Sequence, residues 1–353
     1  MAVTRMKDIA LDLGISAVTV SKVLRGHPDI SEATKQRVLQ RVKELKYRPN
    51  LMARSLVTGR TSLVAMVVPD LVHSFFPEIA ITLSTELRKN GYSILIAWTA
   101  EDPDVQLSEI EHLVSLGVDS MIIATSGDDI TCFRMLEGQG IPYVLLDRDV
   151  PELKAPFVGG DDVLAGKIAT HHLIESGCKR IAHICGPSMS PGHRRLQGYK
   201  EALTAAGLPI KEKYIVTPTE SGPRSFHHGF EAAKRLFEVH PRVDGIFAFN
   251  DQLAVGAMEA AFALGLRVPK DLQIIGCGNH PLGVDLRLPL STIDQDTKKL
   301  GEKSAKTLLS LLGKSTAPRR VVLKPTLVVR STSGKGRARP DQPSMTHLLS
   351  GRK

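Results

Sequence analysis

The chain has only four cysteines in 353 residues, Cys132, Cys178, Cys185 and Cys277, and no CxxC pair among them. That spacing excludes a zinc finger or ribbon, and a chain of this length does not need a disulfide framework. Buried free thiols in a reducing compartment are expected instead. No apolar run approaches the ~20 residues that a membrane span requires. The opening MAVTRMKDIALDLG is amphipathic and contains acids, unlike the apolar core of a signal peptide. A cytoplasmic protein with no membrane partner follows. Also missing are GxSxG, a phosphate-binding loop, zinc-ligand spacing and a Gly-rich dinucleotide fingerprint after the first strand. No enzyme activity, cofactor or metal is therefore expected.

Basic charge, by contrast, is plentiful and unevenly placed. Residues 1–60 carry 12 Lys/Arg against 5 Asp/Glu, and residues 333–353 carry 5 against 1. Residues 61–332 hold 29 against 31, so the overall charge of +9 belongs to the two ends. A compact basic head on a nearly neutral body points to a polyanionic partner for the head alone.

Within that head, Met6, Ile9, Ala10 and Leu13 recur at helical spacing. Gly14 follows where a tight interhelical turn favours a residue that tolerates positive φ. Ser16 can cap a second helix from Ala17 to about Leu24, with Val20, Val23 and Leu24 facing inward. Gly26 and Pro28 stop it, and Ser31 caps a third helix whose buried stripe is Val38, Leu39, Val42 and Leu45. Two helices joined by a Gly-containing turn and braced by a third have the layout of a helix-turn-helix.

The words KDIALDLGISAVTVSKVLRG and ISEATKQRVLQRVKELKYRPNLMARSLVTGRT resemble the head and hinge of the LacI/GalR family of transcriptional regulators, ungapped and at the N-terminus. The resemblance implies that the second helix enters the major groove of operator DNA, with Ala17, Val18 and Lys22 at base-reading positions. Lys22 can donate to guanine O6 and N7, while the small apolar side chains suit a thymine methyl; helix packing is the alternative role for Ala17 and Val18. Ser16, Thr19, Ser21, Thr34, Lys35 and Tyr47 are implied phosphate contacts, which fix register without reading sequence. Pro49 and Asn50 precede a short hinge segment, about residues 51–56, that is too short to be a stable helix alone. There Asn50 can cap the segment, and the resemblance places Asn50, Ala53 and Arg54 among the DNA contacts, Arg54 beside a phosphate, with Leu56 as a minor-groove wedge or, alternatively, a plain core leucine.

From Thr61 onward, β-rich apolar runs (SLVAMVVPD, YSILIAW, SMIIAT, PYVLLD, FVGGD, RIAHICGP, GIFAFND, LQIIGCG) alternate with helical stretches of about a dozen residues, the signature of parallel sheets covered on both faces. The expected fold is an all-α helix-turn-helix head plus an α/β periplasmic-binding-protein-like body of two parallel-sheet lobes. The domains are residues 1–48 (head), 49–61 (hinge and linker), 62–332 (body) and a disordered basic tail, 333–353. Within the body, one lobe takes 62–160 plus 291–320 and the other 161–290 plus 321–331. Ligands of open α/β sheets bind beyond the carboxyl ends of the strands, and polar residues gather there. By resemblance, the effector contacts are Phe76 of HSFF, Asp147 of LLDRD, Asp161 of VGGDD, Arg195, Arg224, Asn250 of FAFND and Asn279.

The chain departs from the family pattern after LQIIG, where an aspartate is usual and this chain reads Gly276-Cys277-Gly278-Asn279-His280. Arg224 also falls near a customary aromatic position. Two effector classes stay open: an acidic sugar or sugar phosphate paired with Arg195 and Arg224, or a neutral sugar with Asn279 in place of the missing acid. The whole reading is of an operator-binding homodimer on a pseudo-palindrome, controlled by a small molecule. A transport solute-binding protein or an α/β enzyme would account for the body alone, but neither accounts for the basic head.

Overall fold

The computed structural model describes residues 5–24, 27–47, 59–218 and 225–334, and the chain divides into two compact units, Met1–Thr61 and Ser62–Lys353. The hinge residues Asn50, Ala53, Arg54 and Leu56, and Arg224 in the body, lie outside the described residues.

The first unit contains α1 (Met6–Leu13), α2 (Ala17–Leu24) and α3 (Glu32–Glu44) around a small core of Ile9, Ala10, Val20, Val23 and Val38. Gly14 ends α1 in the left-handed conformation (φ 64°), where a β-carbon would be strained. Ser16 Oγ accepts from Thr19 N at 3.0 Å, and Ser31 Oγ accepts from Thr34 N, so both serines satisfy otherwise orphaned helix donors. Arg41 on α3 donates from Nε and Nη2 to Asp12 Oδ2 at 3.0 and 2.6 Å, tying the third helix to the first. Leu39 departs from the expected stripe: it is 45% exposed. Val38, Val42 and Leu45 share one face, and Leu39 is turned about 100° away from Val38.

The body begins with β1 (Leu63–Val68), α4 (Phe75–Lys89), β2 (Ser93–Trp98), α5 (Pro103–Ser115), β3 (Ser120–Ile123), α6 (Thr131–Gly138), β4 (Tyr143–Leu146) and β5 (Phe157–Gly160). It continues with α7 (Asp162–Glu175), β6 (Ile181–Ile184), α8 (Ser190–Ala205), β7 (Ile215–Val216), α9 (Ser225–Glu238), β8 (Gly245–Ala248), α10 (Asp251–Ala263) and β9 (Gln273–Cys277). Then come α11 (Leu282–Asp285), β10 (Ser291–Asp294), α12 (Thr297–Leu312), β11 (Arg320–Leu323) and β12 (Thr326–Val328). The strands form two six-stranded sheets, ordered β11-β5-β4-β3-β1-β2 and β12-β10-β9-β8-β6-β7. Every pairing is parallel except β10 with β12. Strand β1 shows why its run is apolar throughout. Val64, Met66 and Val68 meet residues of α4 and α12 on one face, while Ala65 and Val67 meet α5 and α6 on the other.

The lobe boundaries need correcting. Residues 291–294 belong to the second sheet, paired with β9, and 320–323 belong to the first, paired with β5. The chain therefore crosses between lobes after Gly160, after Asp294 and after Leu323. A short apolar run shows that a strand exists but not which sheet it joins; here the join is set by Ser291 and Thr292, whose side chains bond inside the second lobe. The tail boundary also moves. Ser333 is buried with Oγ 3.0 Å from His172 Nε2, and Gly334 N donates to Gln273 Oε1 at 2.8 Å. All four cysteines are buried and unpaired, and no described helix is long and apolar enough to cross a membrane.

Candidate nucleic-acid interface and ligand cleft

On the head, α2 turns Val18 outward (63% exposed), whereas Ala17 is half-buried against the core. Helix packing thus accounts for part of Ala17, but not for Val18. Ser16 is exposed, its hydroxyl shared between the helix cap and Thr19 Oγ1 at 2.9 Å. Thr34 and Lys35 open α3, half-buried beside Ser31 and Glu32, and Tyr47 leans on the head core. Ser21 is half-buried, and Lys22 is paired with Asp29 at 2.5 Å.

In the body, the carboxyl ends of both sheets face a cleft of about 290 Å³. Its first wall carries His73 and Phe76 at the start of α4, Trp98 and Glu101 after β2, and Asp147 and Arg148 after β4. Its second wall carries Arg195 on α8, with Phe249, Asn250 and Asp251 after β8; Gln295, on the crossing from β10 to α12, joins the two walls.

Arg195 anchors the second wall. It reaches that position because α7 and α8 cross closely: a β-carbon on Gly198 would overlap the Val163 carbonyl oxygen, and one on Gly166 would overlap that of Arg195. The guanidinium is buried. Nε and Nη2 lie 2.8 Å from Asp162 Oδ1, Nη1 donates to Phe249 O at 2.7 Å, and the plane stacks 4.4 Å from the Phe249 ring centroid. Arg148 is equally committed on the opposite wall, with Nη1 and Nη2 donating to the two Glu101 oxygens at 2.6 Å each and Nη1 also donating to Thr125 O. Such two-point pairs fix the geometry of both ions.

Asp147 lies between these cations, held at φ 61° and buried. Burial, reinforced by the Asp162 charge, raises its carboxyl to a pKa of about 6 against the opposing pull of Arg195 and Arg148. Burial likewise raises Asp162 and Asp251, and it lowers His73, which pairs with Asp70, to about 4. Asp147 Oδ1, His73 Nε2 and Gln295 Nε2 are buried and without a partner among the described residues. Three orphaned polar atoms around one cleft are what a ligand with its own donors and acceptors would satisfy.

The expected effector residues do not all arrive there. Phe76, Asp147, Arg195 and Asn250 line the cleft; Asp161 and Asn279 do not. Asp161 caps α7, its Oδ1 accepting from Leu164 N at 3.0 Å, and the adjacent Asp162 turns inward to Arg195 instead. Asn279 does not replace a missing acid. Its Nδ2 donates to Asp294 Oδ2 at 3.1 Å and its Oδ1 accepts from Arg330 at 2.6 Å. The acid beside that turn is Asp251, which accepts from Thr292 Oγ1 at 2.5 Å and His280 N at 2.6 Å. Sequence reasoning missed His73 and Gln295, and it missed the Arg148–Glu101 pair because no local spacing announces a contact made 47 residues apart.

Behind the cleft, Asp149 joins the lobes. Its Oδ2 accepts from Arg194 of α8 at 2.6 Å and from Arg320 of β11 at 2.8 Å, while its N–H donates to Ser190 Oγ at 2.8 Å. Arg320 also lies 4.5 Å from the Phe157 ring centroid. Arg194→Ala should therefore loosen the lobe contact and weaken binding of a cleft ligand ~2–5-fold, the scale of a partly exposed pair. Titration calorimetry checks this; unchanged affinity would show that the bridge does not restrain the lobes.

A helix-turn-helix head with a two-lobed body whose strand ends enclose a polar cleft defines a ligand-responsive DNA-binding regulator. Residues 5–50 match the model for bacterial regulatory proteins of the lacI family, and residues 170–333 match that for a periplasmic binding protein-like domain. The ribose operon repressor of Halalkalibacterium halodurans is 34% identical over 94% of this chain and 98% of its own. The solved complex of the transcriptional regulator CelR with cellobiose is 30% identical, with a TM-score of 0.71 over 94% of this chain and 100% of that one. The Lac repressor dimer bound to operator and the anti-inducer ONPF shares the fold, with a TM-score of 0.85 at 24% identity over 94% of this chain and 100% of that one. The chain belongs to the LacI family of bacterial regulatory proteins. It is a DNA-binding transcriptional regulator under small-molecule control, not an enzyme, and regulators of this family bind effectors rather than cofactors.

Proposed function

We propose that this chain is a cytoplasmic homodimeric repressor of carbohydrate genes whose effector is a neutral sugar held in the cleft between the lobes. The orphaned Asp147 Oδ1 beside two guanidinium groups that are each already ion-paired carries the reading. Arg195 is paired with Asp162 and Arg148 with Glu101, so both cations are already offset by a protein carboxylate, and Asp70, Asp147 and Asp251 leave the cleft lining with an excess of acidic groups that an acidic ligand would meet. Sugar hydroxyls donate to carboxylates and accept from amide and imidazole N–H groups. Trp98, Phe76 and Phe249 line the cleft and contribute apolar surface for the ring carbons. The ribose and cellobiose in the names of the relatives agree in class.

In the DNA-bound state, Ala17, Val18 and Lys22 face base edges in the major groove. Ser16, Thr19, Ser21, Thr34, Lys35, Tyr47 and Arg54 hold phosphates, Asn50 and Ala53 contact the duplex with them, and Leu56 enters the minor groove. Two heads on one dimer set half-sites about one helical turn apart.

Trp98 is the only tryptophan in the chain and lines the cleft, so its fluorescence reports occupancy. Titration with a panel of neutral sugars, sugar acids and sugar phosphates should give saturable change with a neutral member. Saturation by acidic members alone would overturn the neutral-sugar reading.

A further inference from the structure

Lys22 belongs to a charged cluster on the head that is centred on Asp29. Asp29, in the loop between α2 and α3, lies with Oδ2 2.5 Å from Lys22 Nζ and Oδ1 2.7 Å from His27 Nδ1. The loop is folded back on the helix, with His27 N donating to Lys22 O at 3.0 Å. The Lys22 and Asp29 side chains keep 35% and 45% of their surface exposed, so both ends of the pair stay open to a third partner. Neither is saturated. An ammonium has three N–H donors and Asp29 takes one; a carboxylate has about four acceptor sites, of which Lys22 and His27 use two.

We propose that Asp29 is a sequence-reading residue, so that the Lys22–Asp29 couple recognises a guanine beside a cytosine in the operator half-site. This rests on Lys22 as a base reader. With Lys22 at guanine N7 and O6, its 2.5 Å contact to Asp29 leaves the carboxylate about 4–5 Å from that edge, a separation comparable with the ~3.4 Å rise to the next base pair. The ion pair need not open, because each partner uses capacity left over from it. A carboxylate in the major groove is repelled by the acceptors N7 and O6 of guanine and O4 of thymine, and satisfied by an exocyclic amine. Adenine N6 has the N7 acceptor next to it, whereas cytosine N4 is flanked by C5–H. Cytosine is therefore the base that Asp29 favours.

The test is selection of binding sites from a randomised duplex library by the full-length protein, followed by affinities for single-base variants of the selected site. Wild type should show a guanine–cytosine pair of neighbouring preferences in each half-site. Asp29→Ala should flatten the cytosine preference alone, a loss of about 5- to 150-fold discrimination at that one position, with the guanine preference kept. Asp29 lies outside the head core, and circular dichroism of the variant confirms its helix content. A uniform weakening at every position would make Asp29 a brace for Lys22 rather than a reader, and an unchanged profile would remove it from recognition; either overturns the proposal. Lys22→Gln separates the underlying reading: it should abolish the guanine preference. If it does not, Lys22 is not a base reader and the couple falls with it.

Discussion

Replacing Arg195 by alanine is expected to destabilise the body by about 3–5 kcal/mol, the scale for leaving a buried charge without its partner. The side chain is 4% exposed, and its guanidinium faces the side chain of Asp162, 1% exposed, with Asp147 close by. Truncation strands two buried carboxylates and also frees the Phe249 carbonyl and ring from their cation. Removing both charges tests the cause: the double replacement Arg195→Met with Asp162→Leu should recover most of the loss, because well-packed apolar pairs of similar volume often match a buried ion pair in stability. Urea unfolding followed by Trp98 emission reads the body directly. A single-variant cost below about 1 kcal/mol, the range of exposed pairs, would show that Arg195 is solvated rather than locked.

Acid should weaken the body through His183. This imidazole is fully buried on β6, stacked between Tyr199 and Phe247 at centroid distances of 5.4 and 4.8 Å. Its Nδ1 lies 2.9 Å from Phe247 O, and Nε2 is buried without a partner. Burial lowers its pKa to about 4, with the Phe247 carbonyl pulling the other way and Arg195 adding to the drop. Above pH 6.5 both folded and unfolded chains hold the ring neutral, and stability is complete. Between 6.5 and 4 the unfolded chain takes up a proton that the folded one refuses, so stability falls with pH. Asp147 acts oppositely, since its raised pKa of about 6 makes the folded state the better proton binder between there and its ordinary value. Comparison with His183→Leu cancels that contribution and that of His73. From pH 7.5 to 4.5, wild type should lose about 2–3 kcal/mol more than the variant. Parallel pH profiles would mean that the ring is hydrated.

What could be read from sequence divides along physical lines. Helix ends were legible because Gly14, Ser16 and Ser31 act on backbone groups within four residues of themselves. The β-rich runs were legible because parallel strands covered on both faces must be apolar throughout. Lobe membership of β10 and β11 was not, since the same four-residue run fits either sheet until its neighbours are known. The choice between Asp161 and Asp162 turned on one residue's rotation at the start of α7, which sends one carboxylate to the helix cap and the next to Arg195. Asn279 is claimed by Arg330, 51 residues later, a contact that no local sequence pattern announces.

In the proposed function, occupancy of the cleft and grip on DNA are one equilibrium. Fluorescence anisotropy of a labelled duplex chosen by the protein from genomic fragments, titrated with and without a sugar that saturates the Trp98 signal, measures that coupling. The duplex affinity should change about 5- to 150-fold, in whichever direction the favoured lobe arrangement dictates. Identical duplex affinity for the empty and the sugar-filled protein would contradict the account.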